Sequence, residues 1–365
     1  MKTRLCFVAL SAYPLLAGVK SKNVIGPSVH VVLLSRELLK HNFDITLITY
    51  NEGGPPRETI DGIDIIKTYR EDSRLNPALK AFRLWMAMRK ARAHIYYHHG
   101  GASGIVPPFC RLMGKKSVWH IAHDFYVLKG LDNFKPLDRF GIWMDIKLAD
   151  AIIAQSEFQK TMLKKNYGRD SLEIKNHFPL TRGGRPEKAK PPIISWVGTM
   201  SATKQPELFL RLAEAVPEAA FQMIGGAGDT PGLYERVKEA SAGIPNLKFL
   251  DVIPFREVND YLGRAAILVN TATGEGFPYA FIQAWMNYTP VLSLNSDPDE
   301  VICRYKLGFH SRTFQQLVGD VKTLLGNETL RQQMGENARR YVEDNHDISN
   351  IVKQHIEVFN RLRKT

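Results

Sequence analysis

The feature that most constrains this chain is a rhythm. Short apolar runs alternate with stretches of helical periodicity, in two successive series along 365 residues. In the first series, Arg4–Leu10, Phe43–Thr49, Ile63–Lys67, His94–His98, Ser117–Ile121 and Ala151–Ala154 read as strands. Between them lie helical segments such as Ser28–His41, with Val29, Val32, Leu33 and Leu39 on its apolar side. A strand that is apolar along its whole length is one buried on both faces, as in a parallel sheet covered by helices. Alternation of that kind predicts a doubly wound α/β unit.

A second series repeats the pattern. Ile193–Val197, Phe221–Ile224, Leu247–Leu250, Ile267–Asn270 and Val291–Leu294 read as strands, with helices over Glu207–Ala215 and Leu233–Ala240. A chain of this length is too long for one typical core. The segment from Pro179 to Pro192 is rich in Pro, Gly and charge, as linkers are. The expected organisation is therefore residues 1–183, residues 184–345, and a terminal segment, 346–365. In that segment Ile351, Val352, Ile356, Phe359 and Leu362 fall at helical spacing. Docking of this last helix on either domain fits the pattern.

The chemistry gathers after the strand Ile267–Asn270. Gly274-Glu275-Gly276-Phe277-Pro278 forms a turn, and the residues through Met286 read as a helix. A strand, a glycine-rich turn and a helix place backbone N–H groups at the helix start, where they attract phosphate. Glu275 sits ahead of those donors, and Gln283 follows eight positions later inside the helix. An ordinary crossover with a chance acidic residue has the same local pattern. The whole stretch resembles the E-x7-E signature of retaining GT-B glycosyltransferases of glycosyltransferase family four, the "glycosyl transferases group 1" set.

That resemblance carries further expectations. It implies the GT-B architecture: two Rossmann-like doubly wound domains facing a cleft, the second binding a nucleotide-sugar and the first the acceptor. The last helix would cross back to the first domain. Val197-Gly198-Thr199-Met200-Ser201-Ala202-Thr203-Lys204 is similar to the family's G-R-x(4)-K segment, in which Arg and Lys neutralise the departing diphosphate. Lys204 keeps its place, whereas Thr199 stands where the family has Arg. Gln283 stands where the family has its second Glu. A carboxylate accepts from both ribose hydroxyls with charge assistance. An amide oxygen gives that up, at a cost of about 1–2 kcal/mol.

By the same resemblance, Glu275, Lys204 and His123 form the catalytic set, His123 standing at the end of the strand before Asp124. Gly198, Thr199, Gly276, Phe277 and Pro278 line the donor phosphates, and Val252 and Ile253 the base. Gly26 is the one glycine before the first helix that matches the family's Gly-Gly pair, and it is equally an ordinary turn glycine. His98, His99 and His120 read as structural. No histidine has metal-ligand spacing along the sequence, and the family works without a metal or other cofactor.

Composition narrows the setting. Three scattered cysteines, Cys6, Cys110 and Cys303, favour a reducing compartment, hence a cytoplasmic location. Lys2, Arg4 and the apolar run after them imitate a signal peptide, but the run breaks at Pro14 and reads better as the first strand. No apolar run approaches a membrane span.

The net charge of +12 is lopsided: residues 1–185 hold 29 basic against 16 acidic residues, and the remainder 20 against 21. Excess of that kind points to an anionic partner surface. Nucleic acid is excluded as the expectation because no basic–aromatic recognition motif accompanies it. The most basic helical segment is 78–92. It places Leu79, Phe82 and Met86 on one side and Lys80, Arg83 and Lys90 on another. It reads either as a core helix with a solvated basic face or as a helix attracted to anionic lipid.

The resulting expectation is a retaining transferase of the EC 2.4 class, hexosyl or N-acetylhexosaminyl. It would move a sugar from a nucleotide-diphosphate donor to a glycan or lipid-linked acceptor in surface polysaccharide assembly. It would act in the cytoplasm, or peripherally on the inner face of the cytoplasmic membrane. A GT-B nucleotide-sugar epimerase and a non-catalytic nucleotide or anionic-glycan binder are the competing readings. Fold alone decides none of these.

Overall fold

The computed structural model describes residues 2–19, 25–131, 134–180 and 183–364. The chain divides into two compact units. Within the described residues the first unit is built on an eight-stranded sheet of β1 (Thr3–Val8), β2 (Phe43–Thr49), β3 (Arg57–Ile60), β4 (Ile63–Lys67), β5 (Ile95–His99), β6 (Lys116–His120), β7 (Ala151–Ala154) and β8 (Leu172–Glu173). Their spatial order is β3-β4-β2-β1-β5-β6-β7-β8. All neighbours pair in parallel except β3 and β4. That exception is a hairpin absent from the sequence reading. Asp61 and Gly62 both adopt positive φ between Ile60 and Ile63, which is what a two-residue turn matching strand twist requires.

Six helices connect these strands: α1 (Tyr13–Ala17), α2 (Gly26–Leu39), α3 (Pro77–Ala91), α4 (Val106–Leu112), α5 (Pro136–Leu148) and α6 (Glu157–Tyr167). The loop from β1 to α2 contains α1, which ends where Gly18 turns left-handed. Residues 20–24 of that loop lie outside the described residues.

Helix α3 corrects one expectation. Its buried face is Leu84, Ala87, Met88 and Ala91, while Leu79, Phe82 and Met86 are exposed, Phe82 by 60%. The apolar stripe seen in the sequence is therefore not the core face. Small and flexible side chains fit against β2 and β4, so the ring of Phe82 is left outside.

The second unit holds, within the described residues, a six-stranded sheet of β9 (Ile193–Val197), β10 (Ala220–Ile224), β11 (Leu247–Phe249), β12 (Ile267–Asn270), β13 (Val291–Ser293) and β14 (Gly308–His310). The order is β11-β10-β9-β12-β13-β14, all parallel. Its helices are α7 (Pro206–Ala215), α8 (Leu233–Ser241), α9 (Val258–Arg264), α10 (Tyr279–Met286), α11 (Val301–Arg304), α12 (Phe314–Gly326) and α13 (Glu328–Asn345). Trp196, Phe209, Phe221, Met223 and Leu292 form the centre of its core. In both sheets the strand order reverses direction beside the first strand of the unit. That switch point is where such folds bind ligands, at the carboxyl ends of the strands.

The division falls between His177 and Phe178, six residues ahead of the expected boundary. The reason is local. The Phe178 N–H donates to the His346 carbonyl at 2.9 Å, and its ring packs 6.0 Å from Phe255. Lys188 reaches the Asn287 carbonyl at 2.8 Å, so the Pro-rich segment is laced into the second unit. Thr181 and Arg182 of that segment lie outside the described residues.

The last helix, α14 (Ile348–Lys364), belongs to the first unit. Ile351, Val352, Val358, Phe359 and Leu362 join the cluster that contains Leu5, Phe7 and Phe43. Arg363 donates to Thr3 Oγ1 at 2.7 Å. Among the described residues no helix is long and apolar enough to cross a membrane.

Candidate active site

The carboxyl ends of β9, β10 and β12 converge within the second unit, and glycines let their loops meet. The Gly198 N–H donates to the Ile224 carbonyl at 3.1 Å, continuing the β9–β10 pairing past the strands. A Cβ on Gly225 would lie 1.7 Å from the Gly198 carbonyl oxygen, and Gly225 has φ +158°. Only glycine fits there. Further along, Met200 bridges to Ala227, and a Cβ on Gly228 would press to 2.6 Å on the Met200 carbonyl. The sequence reading passed over Gly225-Gly226-Ala227-Gly228, although a glycine cluster directly after a strand is itself a signal for close backbone approach.

The loop after β9 is then tied to the loop after β12. Thr273 N–H donates to the Thr203 carbonyl at 2.8 Å, and Thr271 Oγ1 donates to the Lys204 carbonyl at 2.7 Å. Buried Trp196 donates from Nε1 to Thr271 Oγ1 at 3.0 Å. These bonds fix the backbone on which Lys204 stands, at the end of a short 3-10 turn, Ala202–Lys204. The Lys204 ammonium donates to Glu275 Oε1, closing an ion pair across the two loops. Asn270, at the tip of β12, donates to the same oxygen at 3.3 Å.

Glu275 is buried. A charged carboxylate survives such burial only when paired, and here it has both Lys204 and Asn270. Lys204 keeps more of its side chain exposed than Glu275 does, so a ligand can reach it.

Gly276, Phe277 and Pro278 follow as buried turn residues, and Pro278 caps α10 with extended backbone. Phe277 packs 4.7 Å from the His346 ring, which holds the turn against the domain. The helix start therefore presents its N–H groups beside the Lys204–Glu275 pair, a ready anion site.

Gln283 is buried on α10 and donates from Nε2 to Asn259 Oδ1 of α9 at 3.0 Å. That bond turns its amide oxygen away from Asn259 as the acceptor. Neither Asn259 nor Asn270 was singled out from sequence, because an isolated Asn carries no signal until its partner is known.

Thr199 lies in the turn directly after Gly198, so the position that takes Arg in the family holds a short hydroxyl side chain. Val252 and Ile253 follow β11, half-buried, with Asp251 at φ +59°. The Val252 N–H is already engaged by Asp251 Oδ1 at 2.7 Å.

His123 and Gly26 belong to the first unit. His123 caps a 3-10 turn, its Nδ1 accepting from the Phe125 N–H at 3.2 Å while its ring stacks on Phe125 at 4.2 Å. Asp124 beside it accepts from Gln159 Nε2 at 2.9 Å. Gly26 opens α2, and Pro27 sits near the close approach of Gly100 to Ala122. Lys204, Glu275, Gly198, Thr199, Gly276, Phe277 and Pro278 thus come together in one site, with Gln283 on the helix that leaves it.

Known proteins resemble this chain in sequence and in fold. The profile of Glycosyltransferase Family 4 matches residues 24–175, and that of Glycosyl transferases group 1 matches residues 179–341. A curated relative, Glycosyltransferase 1 domain-containing protein 1 of Xenopus tropicalis, is 27% identical over 141 residues, 38% of this chain and 41% of the relative. The match thus spans less than half the length of that relative. Sucrose-phosphate synthase from Thermosynechococcus elongatus superposes with a TM-score of 0.83 at 13% identity, covering 99% of each chain. HepE from Anabaena in complex with UDP-glucose superposes with a TM-score of 0.75 at 13% identity, covering 98% of this chain and 99% of the other. At such identities the structures speak for the fold.

Proposed function

This chain belongs to the GT4-type glycosyltransferases of GT-B fold, and from that premise we propose that it moves a sugar from a nucleotide-diphosphate donor to an acceptor hydroxyl with retention at the anomeric carbon. The observation that carries the reading is the Lys204–Glu275 pair beside the start of α10. It sets a cation, a carboxylate and helix-start N–H groups within one site, the three things a nucleotide-diphosphate-sugar needs.

In the proposed reaction the bond from the anomeric carbon to the diphosphate oxygen breaks. The acceptor oxygen bonds to that carbon on the same face, and its proton passes to the leaving phosphate. Lys204 and the helix start stabilise the negative charge that develops on the diphosphate. Their charge replaces a metal in this scheme.

Glu275 accepts from hydroxyls of the donor sugar once Lys204 turns toward phosphate. Gln283, oriented by Asn259, accepts from one ribose hydroxyl. Gly198 and Thr199 border the phosphates. With the Val252 N–H engaged, the base would rest on Ile253 and the carbonyls of that turn. His123 would act on the donor sugar. HepE, with which this fold is shared, is described in complex with UDP-glucose, so a uridine donor of a hexose or an N-acetylhexosamine is the first to try.

The acceptor is proposed to be lipid-linked or presented at an anionic membrane. Besides the exposed Leu79, Phe82 and Met86 of α3, helix α5 exposes Leu137 by 64%, Phe140 by 57% and Trp143 by 46%. Phe140 and Trp143 stack at 6.0 Å. Apolar faces flanked by Arg83, Lys90 and Lys147, in the unit that holds the excess positive charge, fit an interfacial surface.

A melting screen tests the donor reading. UDP-, GDP-, ADP- and dTDP-sugars are compared on the wild type, Lys204→Ala and Glu275→Ala. One nucleotide-sugar should raise the melting temperature by mass action. Lys204→Ala should abolish the rise, and Glu275→Ala should remove only the part that depends on the sugar. No rise with any nucleotide-sugar at millimolar concentration would refute the donor site. An epimerase would instead turn over the donor with no acceptor present.

A further inference from the structure

Five histidines that are far apart in sequence meet in the interior of the first unit. His30 comes from α2, His99 from the end of β5, His120 from the end of β6, His177 from the residue before the unit boundary, and His355 from α14. All five are buried. Six of their ring nitrogens, on His99, His120, His177 and His355, meet no hydrogen-bond partner among the described residues. A buried polar atom left without a partner costs about 1–3 kcal/mol, so a cluster of such atoms calls for an explanation. Ligand nitrogens of His30, His177 and His355 lie within 4.8 Å of one another, and so do those of His30, His99 and His120.

We propose that His30, His177 and His355 bind a divalent transition-metal ion of the zinc class, a site separate from the donor pocket of the second unit. Two observations favour this triad over the one through His99 and His120. The rings of His30, His177 and His355 lie 4.5, 5.6 and 5.9 Å apart, tilted to one another by 51°, 68° and 87°. Three imidazoles on one tetrahedral ion, with nitrogens about 2.1 Å from it, have ring centres about 5 Å apart. His99 and His120 instead stack in parallel, 4.2 Å apart at 6°, an arrangement that aims their nitrogens side by side rather than at one point.

The second observation is a tautomer. His177 Nε2 lies 3.3 Å from the His30 carbonyl oxygen. A carbonyl can only accept, so Nε2 carries the proton and Nδ1 keeps its lone pair. His177 Nδ1 is one of the buried nitrogens without a hydrogen-bond partner. A metal-bound histidine ordinarily has its other N–H held by an acceptor in this way.

An all-nitrogen donor set without carboxylate selects Zn²⁺, Co²⁺, Ni²⁺ or Cu²⁺ over Mg²⁺ or Ca²⁺. Small turns of the three rings would bring the nitrogens to bonding distance. The ion would then clamp the first long helix, the last helix and the residue before the unit boundary.

The full chain, stripped with chelator and titrated with Co²⁺, tests the proposal through the visible absorption of tetrahedral cobalt. One equivalent should develop the band, Zn²⁺ should bleach it, and Zn²⁺ at a hundredfold excess over its Kd should raise the melting temperature by about 3 °C. His177→Gln and His355→Gln should lose the band. His99→Gln should keep it, as should His310→Gln, which alters the half-exposed Asp297–Cys303–His310 group. If the two ligand variants fail to fold by circular dichroism, the wild-type stoichiometry and melting shift decide. A wild type without a band or melting shift overturns the site. So does a band that survives His355→Gln in a folded protein or vanishes in His99→Gln.

Discussion

The two units use the same kind of sheet and concentrate their chemistry in different ways. In the second, the residues of the candidate site are neighbours in sequence: Gly198 to Lys204 on one turn, Gly274 to Gln283 on the next turn and helix. The fold has only to bring two adjacent strand ends together, and the Lys204–Glu275 pair results. In the first, the unusual side chains are histidines from positions 30 to 355, drawn together only by the complete fold. The second unit is nearly neutral and the first carries the surplus of basic residues and the exposed aromatic faces. On the proposed reading one unit is built around a small anionic ligand, the other around a surface and an interior.

The hardest blow to this contrast is aimed at Lys204. Lys204→Met should lower the transfer rate by about 10²-fold or more, the scale of removing a main charge-stabilising donor. It also leaves Glu275 buried without its cation, so the Lys204→Met, Glu275→Gln pair is made beside it. A loss at least as large in the double variant shows that the loss comes from the missing charge. Recovery in the double variant would point to misfolding instead.

The first unit should respond to lipid. Flotation with anionic vesicles at low salt should carry the wild type upward. The Arg83→Glu, Lys90→Glu variant should lose at least about 30-fold in partitioning, from about 1 kcal/mol for each basic residue near the surface. A variant that floats like the wild type would detach the basic helix from any membrane role.

A smaller effect belongs to Gln283. Gln283→Glu should tighten binding of the free nucleoside diphosphate by about tenfold through a charge-assisted bond to ribose, worth about 1–2 kcal/mol. Isothermal titration reads this directly, and an unchanged or weaker affinity would show that Gln283 does not face the ribose.

The smallest concerns pH. Lys188 is buried in the second unit, and burial, with the charge of Arg185 next, pushes its ammonium down to about 7. In the unfolded chain lysine titrates near 10.4. Between those values the folded protein holds fewer protons, so this residue makes stability rise with pH across the window. Melting measured at pH 7.5 and 9.5 should rise less in Lys188→Met than in the wild type. An identical rise in both would remove Lys188 from the account.

Most strands of both sheets were legible because a parallel strand buried on both faces leaves an apolar run, as Ala151–Ala154 and Ile267–Val269 do. The hairpin β3–β4 was readable in principle from Asp61-Gly62, but β3 is short and polar, so no apolar run announced it. The turns that carry Glu275 and Lys204 were legible because one chain segment carries each motif whole. Asn270 and Asn259 were not, since each acquires meaning only from a partner on another element. The stripe Leu79, Phe82 and Met86 had correct helical spacing. Periodicity names a face without saying what covers it, and the structure leaves that face in solvent.

The most direct test of the central claim is calorimetric titration of UDP and UDP-glucose against the wild type, Lys204→Ala and Glu275→Ala. The account predicts that Lys204→Ala weakens both ligands alike, because it removes the cation at the diphosphate. It predicts that Glu275→Ala weakens UDP-glucose more than UDP, because it removes an acceptor for the sugar. Equal affinities of all three proteins for both ligands would contradict it and place any donor site away from the Lys204–Glu275 pair.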